Sequence, residues 1–183
     1  MPEKEPLPKT APTVLAVSDV RHTYGRKAAD TLSGVSFSVR EHEIVGLVGA
    51  NGCGKSTLTD SIRAAGFRCV DADQVAREVL LPGSPCIVQL QQEFGADIVD
   101  EAGQVRRRLL ADRAFATPQG TARLTAITQP EIYHRLDLAM AEARQAGEKL
   151  FFVDGAVIVG TPFQKRCSHL VLVVAPYETS VQR

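Results

Sequence analysis

Gly49-Ala50-Asn51-Gly52-Cys53-Gly54-Lys55-Ser56-Thr57 matches the phosphate-binding loop pattern G-x-x-x-x-G-K-[ST] at every fixed position. Small residues let the backbone curl so that successive N–H groups point inward and cradle phosphate oxygens. The helix that follows adds the positive end of its dipole. Lys55 then reaches the β- and γ-phosphates, and the Ser56 hydroxyl ligates Mg²⁺. The flanks agree with this reading. Ile44–Val48 reads as a buried strand, and Lys55–Ala65 as a helix stopped by Gly66. Within the loop, Cys53 reads as a small-residue substitute rather than a nucleophile. The pattern implies a nucleoside triphosphate site whose contacts run from Gly49 to Thr57.

Working outward, the chain has 183 residues, enough for one domain with a real core, or one domain with an appendage. Lysine plus arginine equals aspartate plus glutamate, 21 each, so no basic field draws nucleic acid or an anionic membrane. Arg106-Arg107-Arg108 reads as a solvated helix face. Cys53, Cys69, Cys86 and Cys167 are widely spaced without a C-x-x-C pair, which favours reduced thiols in the cytoplasm over a disulfide or metal site. His22, His42, His134 and His169 show no metal-ligand spacing. Residues 1–13 carry Pro2, Pro6, Pro8 and Pro12 and no apolar h-region, so they read as a disordered lead-in and not a secretory signal. No apolar run approaches the ~20 residues of a membrane span. These features leave the oligomeric state open.

Val14–Ser18 and Val35–Val39 are β-prone and predict a small antiparallel unit ahead of the loop strand. Phe67–Val70 predicts a strand ending at Asp71-Ala72-Asp73, with Asp73 placed to cap a helix over Gln74–Leu80. Ser84-Pro85 starts another helix with Ser84 as cap, and Ile87, Leu90 and Phe94 give it an apolar face. Arg106–Phe115 predicts a further helix. Thr117-Pro118 opens a helical region that Pro130 interrupts. Ile132, Leu136, Ala139 and Ala143 form the stripe of the segment beyond, and Gly147 stops it. Leu150–Asp154 and Leu170–Val174 are apolar runs of strand length. Continuous apolar strands between helices predict a parallel sheet covered on both faces, hence an α/β fold of the P-loop three-layer kind.

Two family resemblances meet at the loop. Residues 14–58 resemble the start of an ABC-transporter ATP-binding domain. The matching features are Val20, Tyr24-Gly25, Leu32, Val35–Val39, Glu43–Gly49 and the loop itself. By that resemblance Tyr24 sits where an aromatic residue stacks on adenine, although an aromatic in an antiparallel unit also serves packing. His42 and Ala50 depart from that family's usual glycine and proline. Downstream of Leu58 there is no signature loop, and Asp154 is followed by Gly155 instead of a glutamate.

Residues 44–183 resemble dephospho-CoA kinase. The match runs through Val70-Asp71-Ala72-Asp73, Ala76-Arg77-Glu78, Pro82–Pro85, Phe94-Gly95, Asp100, Gly103, Arg107, Leu110, Phe115, Pro130, Val153-Asp154 and Leu170–Pro176. It implies phosphorylation of the ribose 3′-hydroxyl of dephospho-CoA by ATP and Mg²⁺. Asp73 would meet that hydroxyl as base, and Arg77, one turn on, would hold acceptor phosphate. Asp154 would hold the Mg²⁺ shell. The same residues also suit a helix cap, a surface cation and a strand-end turn. Gln129 stands where the family has histidine, and Ala156–Gly160 replace its Pro-Leu-Leu and acidic pattern. The chain stops at Arg183, where the arginine-bearing lid of that family begins, so the expectation is a C-terminally truncated core with reduced turnover. The domain reading is therefore a lead-in at 1–13, an ABC-like β segment at 14–43 and an incomplete kinase core at 44–183. The rival readings are an ABC-type ATP-binding fragment and a non-catalytic nucleotide-binding remnant.

Overall fold

A computed structural model describes residues 12–22, 32–41, 43–49, 53, 55–155 and 158–173. The elements in order are β1 (Thr13–His22), β2 (Leu32–Arg40), β3 (Ile44–Gly49), α1 (Lys55–Ala64), β4 (Arg68–Asp71), α2 (Ala72–Glu78), α3 (Cys86–Phe94), α4 (Arg107–Ala114), α5 (Pro118–Gln145), β5 (Phe151–Asp154) and β6 (His169–Val173). The chain divides into two compact units: Met1–Ala72 with Met140–Arg183, and Asp73–Ala139.

The first unit holds both sheets. β1 and β2 pair antiparallel, and a parallel four-stranded sheet runs in the order β4-β5-β3-β6. The expected α/β fold, a parallel sheet preceded by a small antiparallel unit, is thus present. Val45–Val48 of β3 are all buried, as a central parallel strand requires. β6 departs from that expectation. At the end of the strand order, it leaves Leu170 and Leu172 exposed, so only part of the sheet is covered on both faces.

A two-stranded sheet is marginal by itself. Here it is held by a core shared with the parallel sheet. Val39 of β2 is buried in one cluster with Val45, Leu47, Leu58, Ile62 and Phe152, and Val14, Leu15 and Phe37 pack against it. Polar contacts add to the join: Lys149 pairs with Glu41 at 3.3 Å, and His169 Nε2 lies 2.9 Å from Glu43 Oε2.

Helix boundaries follow local chemistry. α1 ends as predicted at Gly66, whose φ of +85° suits glycine. The Gly66 amide donates to the Arg63 carbonyl at 2.9 Å and the Phe67 amide to that of Ile62 at 3.2 Å, the Schellman pattern. Ser84 Oγ accepts the Cys86 amide at 3.3 Å, so it caps α3 as the sequence implies.

Two expectations are corrected. Asp73 is not a cap, because β4 passes directly into α2 and Asp73 lies inside the first turn, where its charge meets the helix dipole. Nor does Pro130 interrupt its helix: α5 runs unbroken for 28 residues with Pro130 inside. An internal proline costs about 3 kcal/mol or more. Ala126, whose carbonyl the proline leaves without its helical amide, is exposed. The buried stripe of Ile132, Leu136, Met140 and Ala143 offsets the penalty at roughly 1.5–3 kcal/mol per large side chain. Met140 takes the place expected for Ala139 in that stripe. At the other end, Thr117 Oγ accepts the Gly120 amide at 3.0 Å and caps the helix.

In the second unit, Asp100 and Gly103 build a tight turn: Asp100 Oδ1 accepts the Ala102 and Gln104 amides at 3.0 and 2.8 Å. Arg113 of α4 grips Asp97 with two hydrogen bonds of 2.7 Å and also donates to the Phe94 carbonyl. Those hydrogen bonds hold the Asp97 carboxyl below its ordinary range. Its contribution is therefore present at neutral pH and lost as pH falls through the depressed value. Gly95 makes the clamp possible. Its φ is +102°, and a Cβ there would lie 2.6 Å from Arg113 Nη1 and 2.9 Å from Asp97 Oδ1. Gly95→Ala is expected to lower stability by about 1–3 kcal/mol, the usual cost of such a backbone in a non-glycine residue. Urea unfolding checks this; an unchanged midpoint would show that the backbone relaxes freely here.

Candidate active site

β3 delivers the chain to Gly49, where space and not φ demands glycine. A Cβ there would lie 2.5 Å from the Val173 carbonyl oxygen and 2.6 Å from Cys53 Sγ. Cys53 itself is 1% exposed and belongs to the shared core. Ala50, Asn51, Gly52 and Gly54 lie outside the described residues, as does Tyr24. Lys55, exposed Ser56 and Thr57 then open α1.

β5 lies beside β3, parallel to it, with Leu47 level with Asp154. The Gly155 amide donates to the Leu47 carbonyl at 3.2 Å and fixes the end of β5 against the strand that feeds the loop. Asp154 is consequently buried at 8% exposure at the carboxyl edge of the sheet, where open parallel sheets bind ligands. Lys55 Nζ sits 3.1 Å from its Oδ1. The Thr59 hydroxyl lies 3.1 Å from its Oδ2 and 2.9 Å from the Lys55 carbonyl oxygen. Two residues named from the sequence, Lys55 and Asp154, are thereby brought together. Thr59 was not among the candidates, since its partner is 95 residues away and no local pattern marks the pair.

The residues suit a hard divalent cation. Asp154 Oδ1 is buried and, although the ammonium is close, has no partner in hydrogen-bond geometry, so it keeps a lone pair to give. The Ser56 hydroxyl at the start of α1 would add a second oxygen donor. Mg²⁺ is commonly held by one or two such groups together with substrate phosphates. No group of three or more His, Cys, Asp or Glu that could hold a metal occurs among the described residues.

The remaining candidates, Asp73 and Arg77, lie on α2. Asp71 ends β4, in register with Asp154. Asp73 lies on α2, beyond the strand's end. Asp73 is half-buried and Arg77 exposed, four residues on along the same helix and in the second unit. Arg77 donates to Gln74 Oε1 at 3.5 Å, and its carbonyl accepts a bond from Arg107 at 3.5 Å. Cys69, beside this edge, has its thiol pushed up to about 12 by burial, so it stays protonated and unreactive at neutral pH.

Known proteins share this frame. A family profile described as dephospho-CoA kinase matches residues 43–183. Dephospho-CoA kinases of Corynebacterium glutamicum and Corynebacterium efficiens are both 36% identical over 76% of this chain, covering 71% and 70% of their own lengths. The chain belongs to the dephospho-CoA kinase family. A crystal structure of a Thermus thermophilus protein superposes with a TM-score of 0.64 at 26% identity, over 78% of this chain and 71% of that one. A dephospho-CoA kinase from Campylobacter jejuni shares the fold, with a TM-score of 0.54 at 15% identity over 76% of this chain and 94% of its own. The loop sequence Gly49–Thr57 lies within the matched span. β1 and β2 precede that span, so the shared core joins a segment outside the dephospho-CoA kinase match to one inside it. No helix among the described residues is long and apolar enough to cross a membrane.

Proposed function

We propose that this protein transfers the γ-phosphoryl group of ATP to the ribose 3′-hydroxyl of dephospho-CoA, giving coenzyme A and ADP. The observation that carries the reading is the Lys55–Asp154 pair, which joins the start of α1 to the end of β5, in a chain whose matched span covers both residues. The loop amides and the start of α1 bind the phosphates, and Lys55 leaves Asp154 for the β- and γ-phosphate oxygens. Asp154 and Ser56 would hold Mg²⁺, which when bound would neutralise charge on the phosphates. Asp73 takes the proton of the ribose hydroxyl as its oxygen bonds to the γ-phosphorus. The bond from that phosphorus to the β-phosphate oxygen breaks, and ADP carries the electrons away. Arg77 holds phosphate of the acceptor. Positioning and charge stabilisation account for the rate, since little covalent chemistry is asked of the protein.

Incubation with ATP, Mg²⁺ and dephospho-CoA, read by mass spectrometry, tests this. Coenzyme A is the expected product. Phosphate released without acceptor would overturn the reading in favour of an ABC-type hydrolase. Nucleotide binding with neither product would overturn it in favour of a non-catalytic binding protein.

A further inference from the structure

We propose that Thr59 is a positioning residue for Asp154, its hydroxyl fixing the carboxylate so that Oδ2 stays inside the protein while Oδ1 is presented to Lys55 and to the metal of a bound nucleotide. The inference rests on the assignment of Asp154 to the metal site made above. Thr59 is 1% exposed, so its hydroxyl has protein partners and not solvent. A hydroxyl has one proton, and two acceptors are in reach: the Lys55 carbonyl at 2.9 Å and Asp154 Oδ2 at 3.1 Å. The carbonyl lies four residues back in the same helix, where the Thr59 amide already serves it. Oδ2 belongs to a buried carboxylate, where a bond to an ionised acceptor is stronger and an unmet acceptor is costlier. The proton therefore goes to Asp154.

The consequence is directional. With Oδ2 held, the carboxylate cannot spin, and Oδ1 faces Lys55 Nζ at 3.1 Å. When phosphates draw the ammonium away, Thr59 keeps its place, because it sits on the backbone of α1 and not on the moving lysine side chain. Without the hydroxyl, both carboxylate oxygens are free to turn to Lys55. The ammonium is then held back from the phosphates, and Oδ1 is no longer aimed at the cation. Partners that orient a metal-binding group from behind typically change metal affinity or activity 10–100-fold when removed.

The test uses ADP affinity measured with Mg²⁺ and again with EDTA, the ratio giving the metal's contribution. Thr59→Val, which keeps the shape and removes the hydroxyl, is expected to lower that ratio about tenfold or more. Thr59→Ser, which keeps the hydroxyl, is expected to retain it. An unchanged ratio in Thr59→Val, or equal losses with and without Mg²⁺, would overturn the proposal, since a merely structural role weakens both alike. Asp154→Asn separates the two layers. If it leaves the ratio intact, the metal assignment is wrong and the inference falls with it. If it collapses the ratio while Thr59→Val does not, only the role of Thr59 fails. Should Thr59→Val not fold, Thr59→Ala against Thr59→Ser makes the same comparison.

Discussion

Lys55→Ala is expected to reduce coenzyme A formation at least about 100-fold, the lower end for removing one preorganised donor from a transition-state oxyanion. ATP binding should weaken as well, since the ammonium is the loop's only side-chain cation. The nucleotide-free protein should feel the change too. The side chains of Lys55 and Asp154 are 15% and 11% exposed, so the substitution leaves a mostly buried carboxylate facing no ammonium. Removing one partner of a fully buried pair destabilises by about 3–5 kcal/mol. Here Thr59 still serves Oδ2 and some solvent reaches the site, so about 1–3 kcal/mol is the better expectation. Lys55→Ala combined with Asp154→Asn removes the orphaned charge along with its partner. The double variant should therefore be more stable than the sum of the single losses predicts, by roughly 0.5–3 kcal/mol. Urea unfolding of the four proteins measures this. Strict additivity would show that the pair does not form in the nucleotide-free protein in solution.

What could be read in advance follows from the range of the interactions involved. β3 and α1 were legible because their causes are local: an apolar run, and a glycine that ends the helix through two backbone bonds. Asp154 was legible for a similar reason, as an acid at the end of the apolar run Phe151–Val153. Thr59 was not, because a threonine in a helix carries no local mark, and its meaning comes from a strand laid beside the loop. Pro130 misled because propensity is local while the stripe that keeps α5 whole is tertiary. The docking of β1 and β2 could not be read from their alternation, which shows that one face is apolar but not what covers it. Val39 and Phe37 answer that by joining the core of β3 and β5.

Asp73→Asn should lower phosphoryl transfer to dephospho-CoA by roughly 10²–10⁴-fold, the usual contribution of a general base. ATP affinity should hold, because Asp73 lies on α2 and outside the loop. The substitution keeps the size of the side chain and removes its charge and its ability to take a proton. Since Asp73 lies in the first turn and does not cap the helix, the structural loss is confined to its favourable meeting with the helix dipole, about 0.3–1 kcal/mol. A thermal melt close to wild type would therefore accompany the loss of rate. Asp71→Asn is the internal control. Asp71 ends β4 level with Asp154, on the sheet that carries the loop, whereas Asp73 has turned onto the helix. A base must reach the acceptor hydroxyl, and the family resemblance assigns that contact to the second aspartate of Asp71-Ala72-Asp73. Asp71→Asn should thus retain most transfer, with any effect arising through the charge beside Asp154. If Asp71→Asn abolishes transfer while Asp73→Asn leaves it intact, the base is the strand-end carboxylate, and the proton leaves the ribose toward the sheet instead of toward α2.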